Sequence, residues 1–128
     1  IATKEPTSIT DAYAMMKVMS QEYGTKYFKL VVNMVASQAE AKRVYASLSS
    51  ALDKFLGDVV LEYVGFIPFD LQLQKSVQKR SLIMDNAPKS PAAQSIVTIA
   101  DKLAAASERN NANGSLTFFM SKVFQRAT

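Results

Sequence analysis

Two nearly continuous apolar runs mark the chain, and each ends at residues with distinctive chemistry. The run over 27–32 is followed by Asn33, and the run over 59–67 is followed by Pro-Phe-Asp at 68–70. Apolar runs of this length, rich in β-branched and aromatic residues, predict strands that are buried on both faces, as in a parallel sheet. Because ligands of such sheets bind where the strands end, the pattern predicts a ligand crevice at the two carboxyl ends.

The segments before and between these strands have helical periodicity. Ser8 and Asp11 have the spacing of a capping box, which predicts the start of a first helix. Ser37 and Glu40 have the same spacing before a strongly periodic segment, which Gly57 ends. A strand, a helix and a second strand in this order predict a βαβ crossover, with the two strands parallel and close together in one sheet.

Shorter elements are predicted on either side of this unit. Residues 1–3 have the character of the end of a strand, and a short helix is expected after Asp70, with Leu73 and Val77 facing inward. Pro91 predicts a further helix, because proline is favoured at the first helical position. The predicted fold class is α/β, with a parallel sheet of two full strands and a strand stub. Four helices flank this sheet, and a carboxyl-terminal amphipathic helix follows.

Composition narrows the chemistry that the chain can perform. It has 128 residues, 48% of them hydrophobic, and contains neither Cys nor His. This excludes thiolate nucleophiles, imidazole bases and the usual zinc ligands. No Gly-rich phosphate loop with a Lys is present in the sequence. The net charge of +4 is scattered, and the densest basic stretch, 75–89, has no aromatic residues. The charge pattern therefore argues against nucleic acid as a partner.

The end of the chain divides into a polar segment and an amphipathic one. Residues 105–115 are predicted to form a polar linker, and residues 116–128 a tail helix. The aromatic and basic residues of the tail are typical of a short helix at a membrane interface, and the alternative is a last helix docked on the protein body. The candidates for membrane binding are Leu116, Phe118, Phe119, Met120, Lys122, Val123, Phe124 and Arg126.

Four short motifs resemble those of a known family and occur in its order. They are Glu-Pro-Thr-Ser-Ile-Thr-Asp-Ala-Tyr at 5–13, Leu-Val-Val-Asn at 30–33, Gly-Phe-Ile-Pro-Phe-Asp at 65–70 and Lys-Ser-Pro-Ala-Ala at 89–93. Through them the chain resembles the carboxyl-terminal half of the MinD/ParA class of deviant P-loop ATPases, and within it the flagellar-number regulators FlhG and FleN. The resemblance implies that residues 1–104 are the carboxyl-terminal half of a MinD-like ATPase domain, with part of its P-loop NTPase-like sheet.

The resemblance also implies a base-binding role for the two strand ends. Asn33 matches the strand-end Asn that faces adenine in these ATPases. The loop that borders the base, largely through backbone groups, is matched by Pro68, Phe69 and Asp70. Each assignment has a structural alternative, since Asn33 is also suited to cap a turn and Asp70 to cap the helix that follows it.

Glu5 and Asp11 match acids near the face where two ATP-bound protomers meet, so the resemblance makes them candidates for a dimer interface. The full-length protein is accordingly expected to be an ATPase that uses ATP and Mg²⁺. An ATP-dependent switch between monomer and membrane-associated dimer would then control flagellar number and placement. This chain has no phosphate loop, so we expect it neither to hydrolyse ATP nor to bind it tightly. None of its residues is predicted to be catalytic or to bind a metal.

Partners and location follow from the resemblance alone. The implied partners are a second copy of the protein, a signal-recognition-type flagellar GTPase, a flagellar transcriptional activator, motor switch proteins and an anionic membrane surface. The expected location is the cytoplasm, with peripheral association at the inner face of the cytoplasmic membrane at the cell pole. One alternative is a DNA-associated or cell-division partitioning ATPase of the same class. Another is a non-enzymatic module that binds a membrane or a partner protein.

Overall fold

A computed structural model describes the backbone of residues 1–126 and the side chains of residues 1–109. Within this range the chain forms two strands and five helices. In chain order they are α1 (Pro6–Tyr23), β1 (Tyr27–Val35), α2 (Gln38–Phe55), β2 (Val60–Pro68), α3 (Leu71–Gln78), α4 (Ile83–Asn86) and α5 (Pro91–Arg126). Helices pack on a small parallel sheet, so the predicted α/β class is confirmed.

The two strands pair in parallel, as the βαβ pattern predicted. Ala2 forms an isolated parallel bridge to Val32 of β1. Its N–H donates to the Val31 carbonyl at 3.0 Å, and its own carbonyl accepts from the Asn33 N–H at 2.7 Å. The predicted strand stub is therefore present, and β1 lies between it and β2.

The β1–β2 ladder contains two shifts of register, at Val64 of β2 and Met34 of β1. Each shift leaves one residue without a partner, which is the pattern of a β-bulge. Met34 has a φ of 56°, in the left-handed region that a side chain with a Cβ rarely adopts. The second bulge therefore places a strained residue directly after Asn33, at the carboxyl end of β1.

The sheet is buried on both faces, as the apolar runs predicted. Val32 of β1 shares a buried cluster with Leu48 and Leu52 of α2, which are 0% and 1% exposed. Val31 points to the opposite face, because side chains alternate along a strand, and packs in a second cluster with Ile99 of α5. Burial of each leucine contributes about 1.5–3 kcal/mol to the hydrophobic stabilisation of this layered arrangement.

The capping box predicted before α2 is present in a modified form. The Ser37 side chain accepts a hydrogen bond from the Glu40 N–H at 3.2 Å. The Glu40 carboxylate reaches one residue further back than expected and accepts from the Ala36 N–H at 2.6 Å. This hydrogen bond, with that from Lys4, lowers the pKa of Glu40 from its ordinary value. Both residues therefore fix the start of α2.

The capping box predicted at Ser8 and Asp11 is wrong. Helix α1 begins at Pro6, and Glu5 precedes it in an extended conformation without a side-chain cap. The Ser8 hydroxyl instead accepts from the Thr3 N–H at 2.9 Å. Proline has a φ that suits the first helical position and lacks an N–H, so it starts the helix earlier than the polar pattern suggested.

Asp70 caps α3 as predicted, because its Oδ1 accepts from the Gln72 N–H at 2.8 Å. The inward orientation expected for Val77 is wrong, since this side chain is 68% exposed. Ser76 is the buried residue of α3, and Leu73 packs at the edge of a small core cluster. Helix α4 was not predicted, because four residues are too few to show a helical period.

Helix α5 runs without interruption from Pro91 to Arg126, through the segment predicted as a polar linker. The side chains of the tail residues that we predicted to bind membrane lie outside the described residues, so their role stays a prediction. Residues 127–128 also lie outside the described part of the chain. No helix in the described part is both long and apolar enough to cross a membrane.

Candidate functional site

The strand ends form one cleft that contains all four residues predicted to border a base. This strand-end cleft has a volume of about 370 Å³ and lies between the carboxyl ends of β1 and β2 and one side of α3. The predicted residues are Asn33, Pro68, Phe69 and Asp70. The residues that the sequence did not predict are Met34, Leu73, Gln74, Val77 and Gln78. The volume lies within the range of small-molecule sites.

Asn33 is held in one orientation by its own backbone. Its Oδ1 accepts a hydrogen bond from the Met34 N–H at 2.9 Å. Because a backbone N–H needs an acceptor, the oxygen of the amide must face Met34 and the NH₂ group must face away from it. The NH₂ group has no protein acceptor among the residues whose side chains are described. Asn33 thus bonds to the backbone of the bulge residue inside β1 and does not cap a turn, and its NH₂ group is left as a hydrogen-bond donor at the strand-end cleft.

Apolar side chains form much of the cleft's surface. Met34, Phe69 and Val77 line it and are 44%, 54% and 68% exposed. Exposed apolar side chains around one cleft are typical of a binding site rather than of an ordinary surface. Together with the free amide donor of Asn33, they suit a flat aromatic ring that carries a nitrogen acceptor at its edge.

The loop from Pro68 to Asp70 is fixed on both sides. The Phe69 N–H donates to the Val35 carbonyl of β1 at 3.0 Å, which ties the loop to the sheet. Asp70 accepts hydrogen bonds with both carboxylate oxygens, from the Gln72 N–H at 2.8 Å and from the Ala92 N–H at 3.1 Å. These bonds, that from Ala92 most of all, lower the pKa of Asp70, so the group stays charged near neutral pH.

Glu5 and Asp11 lie together in a different cleft. It has a volume of about 470 Å³, is bordered by the strand stub, α1 and β1, and shares no lining residue with the strand-end cleft. Both acids are exposed. The structure therefore brings the two dimer-interface candidates to one surface, apart from the predicted base-binding residues.

The side of α3 that lines the cleft was missed because a helix of eight residues has too few apolar positions to show which of its sides is buried. Leu73 and Val77 are four residues apart, and the pattern was interpreted as a buried stripe. In the structure this side of α3 faces the strand ends, so the same stripe lines the cleft. No signal in the sequence distinguishes an apolar stripe that lines a cleft from one that is buried in the core.

Two proteins whose names refer to flagellar regulation or placement are similar to the chain. No protein-family model matches it. It is 37% identical over 125 residues to the antiactivator FleN of Pseudomonas aeruginosa, a match that covers 98% of this chain and 44% of FleN. It is 32% identical over 103 residues to the flagellum site-determining protein YlxH of Helicobacter pylori, covering 80% of this chain and 34% of YlxH.

The chain spans less than half the length of these two relatives. This extent is consistent with a carboxyl-terminal portion of a FlhG/FleN-type protein, as the sequence motifs suggested. The motifs and both relatives agree, and the chain is similar to proteins of the FlhG/FleN type.

Proposed function

We propose that the strand-end cleft binds the adenine base of ATP in a MinD-like ATPase that regulates flagellar number and placement. The observation that carries this proposal is the orientation of Asn33, whose oxygen is occupied by the Met34 N–H while its NH₂ group is free. A purine ring has nitrogen acceptors at its edges, which an amide NH₂ group can reach. The apolar side chains of Phe69 and Val77 would contact the faces of the ring.

The loop at Pro68 and Phe69 would distinguish adenine from guanine. Its backbone carbonyl groups are acceptors, and adenine has an exocyclic amine where guanine has a carbonyl oxygen. A guanine carbonyl that faces a backbone carbonyl would leave both acceptors without a donor. In a buried site, such unpaired polar groups cost binding free energy. We therefore expect the cleft to prefer ATP to GTP.

The triphosphate and Mg²⁺ would be held by other parts of the full-length protein. The resemblance to MinD-like ATPases implies a phosphate loop that this chain lacks, and such loops supply most of the affinity for a nucleoside triphosphate. The chain's own contribution is to hold and orient the base. In the same proposal, Glu5 and Asp11 lie at the contact between two ATP-bound protomers, and the tail after residue 115 associates with the membrane.

The names of the relatives suggest the biological role. FleN is an antiactivator and YlxH determines the site of the flagellum. By analogy, the full-length protein would act on flagellar regulatory proteins, and a transcriptional activator, a signal-recognition-type GTPase and motor switch proteins are the proposed partners. Occupation of the strand-end cleft would control which of these contacts forms.

Calorimetric titration of the full-length protein with ATP and with GTP, each with Mg²⁺, tests the base-binding role. We expect ATP to bind at least about fivefold more tightly than GTP, because one mismatched buried polar contact costs about 1–3 kcal/mol. This chain by itself is expected to bind either nucleotide too weakly to measure. Equal affinities for ATP and GTP, or no binding of ATP by the full-length protein, would contradict the proposal.

A further inference from the structure

Asp70 joins two helices that begin far apart in the sequence. Its Oδ1 accepts from the Gln72 N–H at the start of α3, at 2.8 Å. Its Oδ2 accepts from the Ala92 N–H at the start of α5, at 3.1 Å. The first bond is an ordinary helix cap, but the second crosses 22 positions of the sequence and has no role in capping α3.

The second bond supplies an acceptor that α5 needs. Ala92 is 0% exposed, so water cannot replace the Asp70 carboxylate as the partner of its N–H. The next amide, that of Ala93, is already satisfied by the Ser90 hydroxyl at 3.2 Å. The N-terminus of a helix is stabilised by a nearby negative charge. A buried N–H that lacks an acceptor lowers the stability of the folded protein. Asp70 is therefore required at the start of α5 as well as at the start of α3.

The same residue ends the loop that borders the strand-end cleft. Phe69, which lines this cleft, is tied to β1 through its N–H, and Asp70 follows it directly. The loop is thus held between the sheet on one side and the start of α5 on the other. Any ligand that changes the position of this loop must also change the Asp70–Ala92 bond or move α5 with it.

We infer that Asp70 is a positioning residue that couples occupation of the strand-end cleft to the start of α5. The inference rests on the proposed function, because the occupant is the adenine base of ATP. A base in contact with the loop restricts Asp70, and Asp70 in turn restricts the first turn of α5. This turn is continuous with the part of α5 that packs on β2 through Ile99, so the coupling reaches the body of the helix.

Hydrogen exchange of backbone amides in the full-length protein, with and without ATP and Mg²⁺, tests this coupling. Asp70→Ser keeps a good cap for α3 but is too short to reach Ala92, so it removes the contact of the carboxylate with the start of α5. Tyr45→Phe is the matched control, because it removes one hydrogen bond, from the Tyr45 hydroxyl to the Leu61 carbonyl at 3.2 Å, outside the strand-end cleft.

In the wild-type protein we expect ATP to slow exchange at Ala92. In Asp70→Ser we expect faster exchange at Ala92 without nucleotide and loss of the slowing by ATP. We also expect ATP binding to be weakened by about five- to tenfold, the lower part of the range of coupling between sites. Tyr45→Phe is expected to keep both the slowing at Ala92 and the wild-type affinity for ATP.

Two results would overturn the inference while leaving the proposed function intact. One is ATP binding by the wild-type protein without any change of exchange at Ala92. The other is that the Asp70→Ser variant keeps the ATP-dependent slowing of hydrogen exchange at Ala92. Failure of the wild-type protein to bind ATP would instead contradict the proposed function and the coupling together, so the two failures are distinguishable.

Discussion

Substitution of Asn33 by aspartate is expected to weaken ATP binding by the full-length protein by about 100-fold, and substitution by alanine by about tenfold. Aspartate has the same shape as asparagine and keeps an oxygen for the Met34 N–H. It replaces the free NH₂ group by a second oxygen, which would face a nitrogen acceptor of the base. Alanine removes the donor without introducing this repulsion, so its effect should be smaller.

Calorimetry with ATP at low and at high salt measures this difference. Salt screens repulsion between the new carboxylate and the triphosphate, so a loss of affinity that persists at high salt arises at the base. Thermal unfolding of each variant serves as the control for folding. If Asn33→Asp bound ATP as tightly as the wild-type protein, the assignment of Asn33 as a donor to adenine would be wrong.

Substitution of Gly65 by valine is expected to lower the free energy of unfolding by about 1–3 kcal/mol, the usual cost of overpacking. A Cβ atom at this position would lie 3.1 Å from Cγ1 of Ile99, closer than such atoms normally approach. Gly65 follows the bulge residue Val64, at the point where α5 crosses β2. The valine should therefore push α5 away from the sheet.

A double-mutant cycle with Ile99→Ala identifies the cause of this effect. Ile99→Ala alone should destabilise the protein by leaving a cavity, but it also makes room for the valine. We expect the double variant to be more stable than the sum of the two single effects predicts, in urea denaturation of the full-length protein. Strict additivity would show that Gly65 does not set the contact between β2 and α5.

The sheet could be predicted from the sequence because its determinants are local. Each apolar run is long enough to define a strand, and the intervening helix α2 imposes a parallel arrangement. The start of α1 could not be predicted from polar spacing, since Pro6 determines it and not Ser8. The phase of α3 was uncertain for a similar reason, because two turns contain too few apolar positions to define a face.

The candidate site could be predicted only in part. Asn33 and the loop after β2 were identified as strand ends, and the structure places them in one cleft. The bulge at Met34 and the bond from Asp70 to Ala92 depend on the register of two strands and on the packing of α5, which no local pattern determines. These tertiary features fix the orientation of the amide and of the loop, and with them the proposed preference for adenine.

Nuclear magnetic resonance of the isotope-labelled full-length protein, titrated with ATP and Mg²⁺, shows whether the base occupies the strand-end cleft. We expect the side-chain NH₂ resonance of Asn33 and the backbone amide resonance of Phe69 to shift together as ATP binds, and GTP at the same concentration to shift them less. The opposite result is saturable ATP binding during which both resonances stay in place. That result would show that the base binds elsewhere and that the strand-end cleft is not the adenine site.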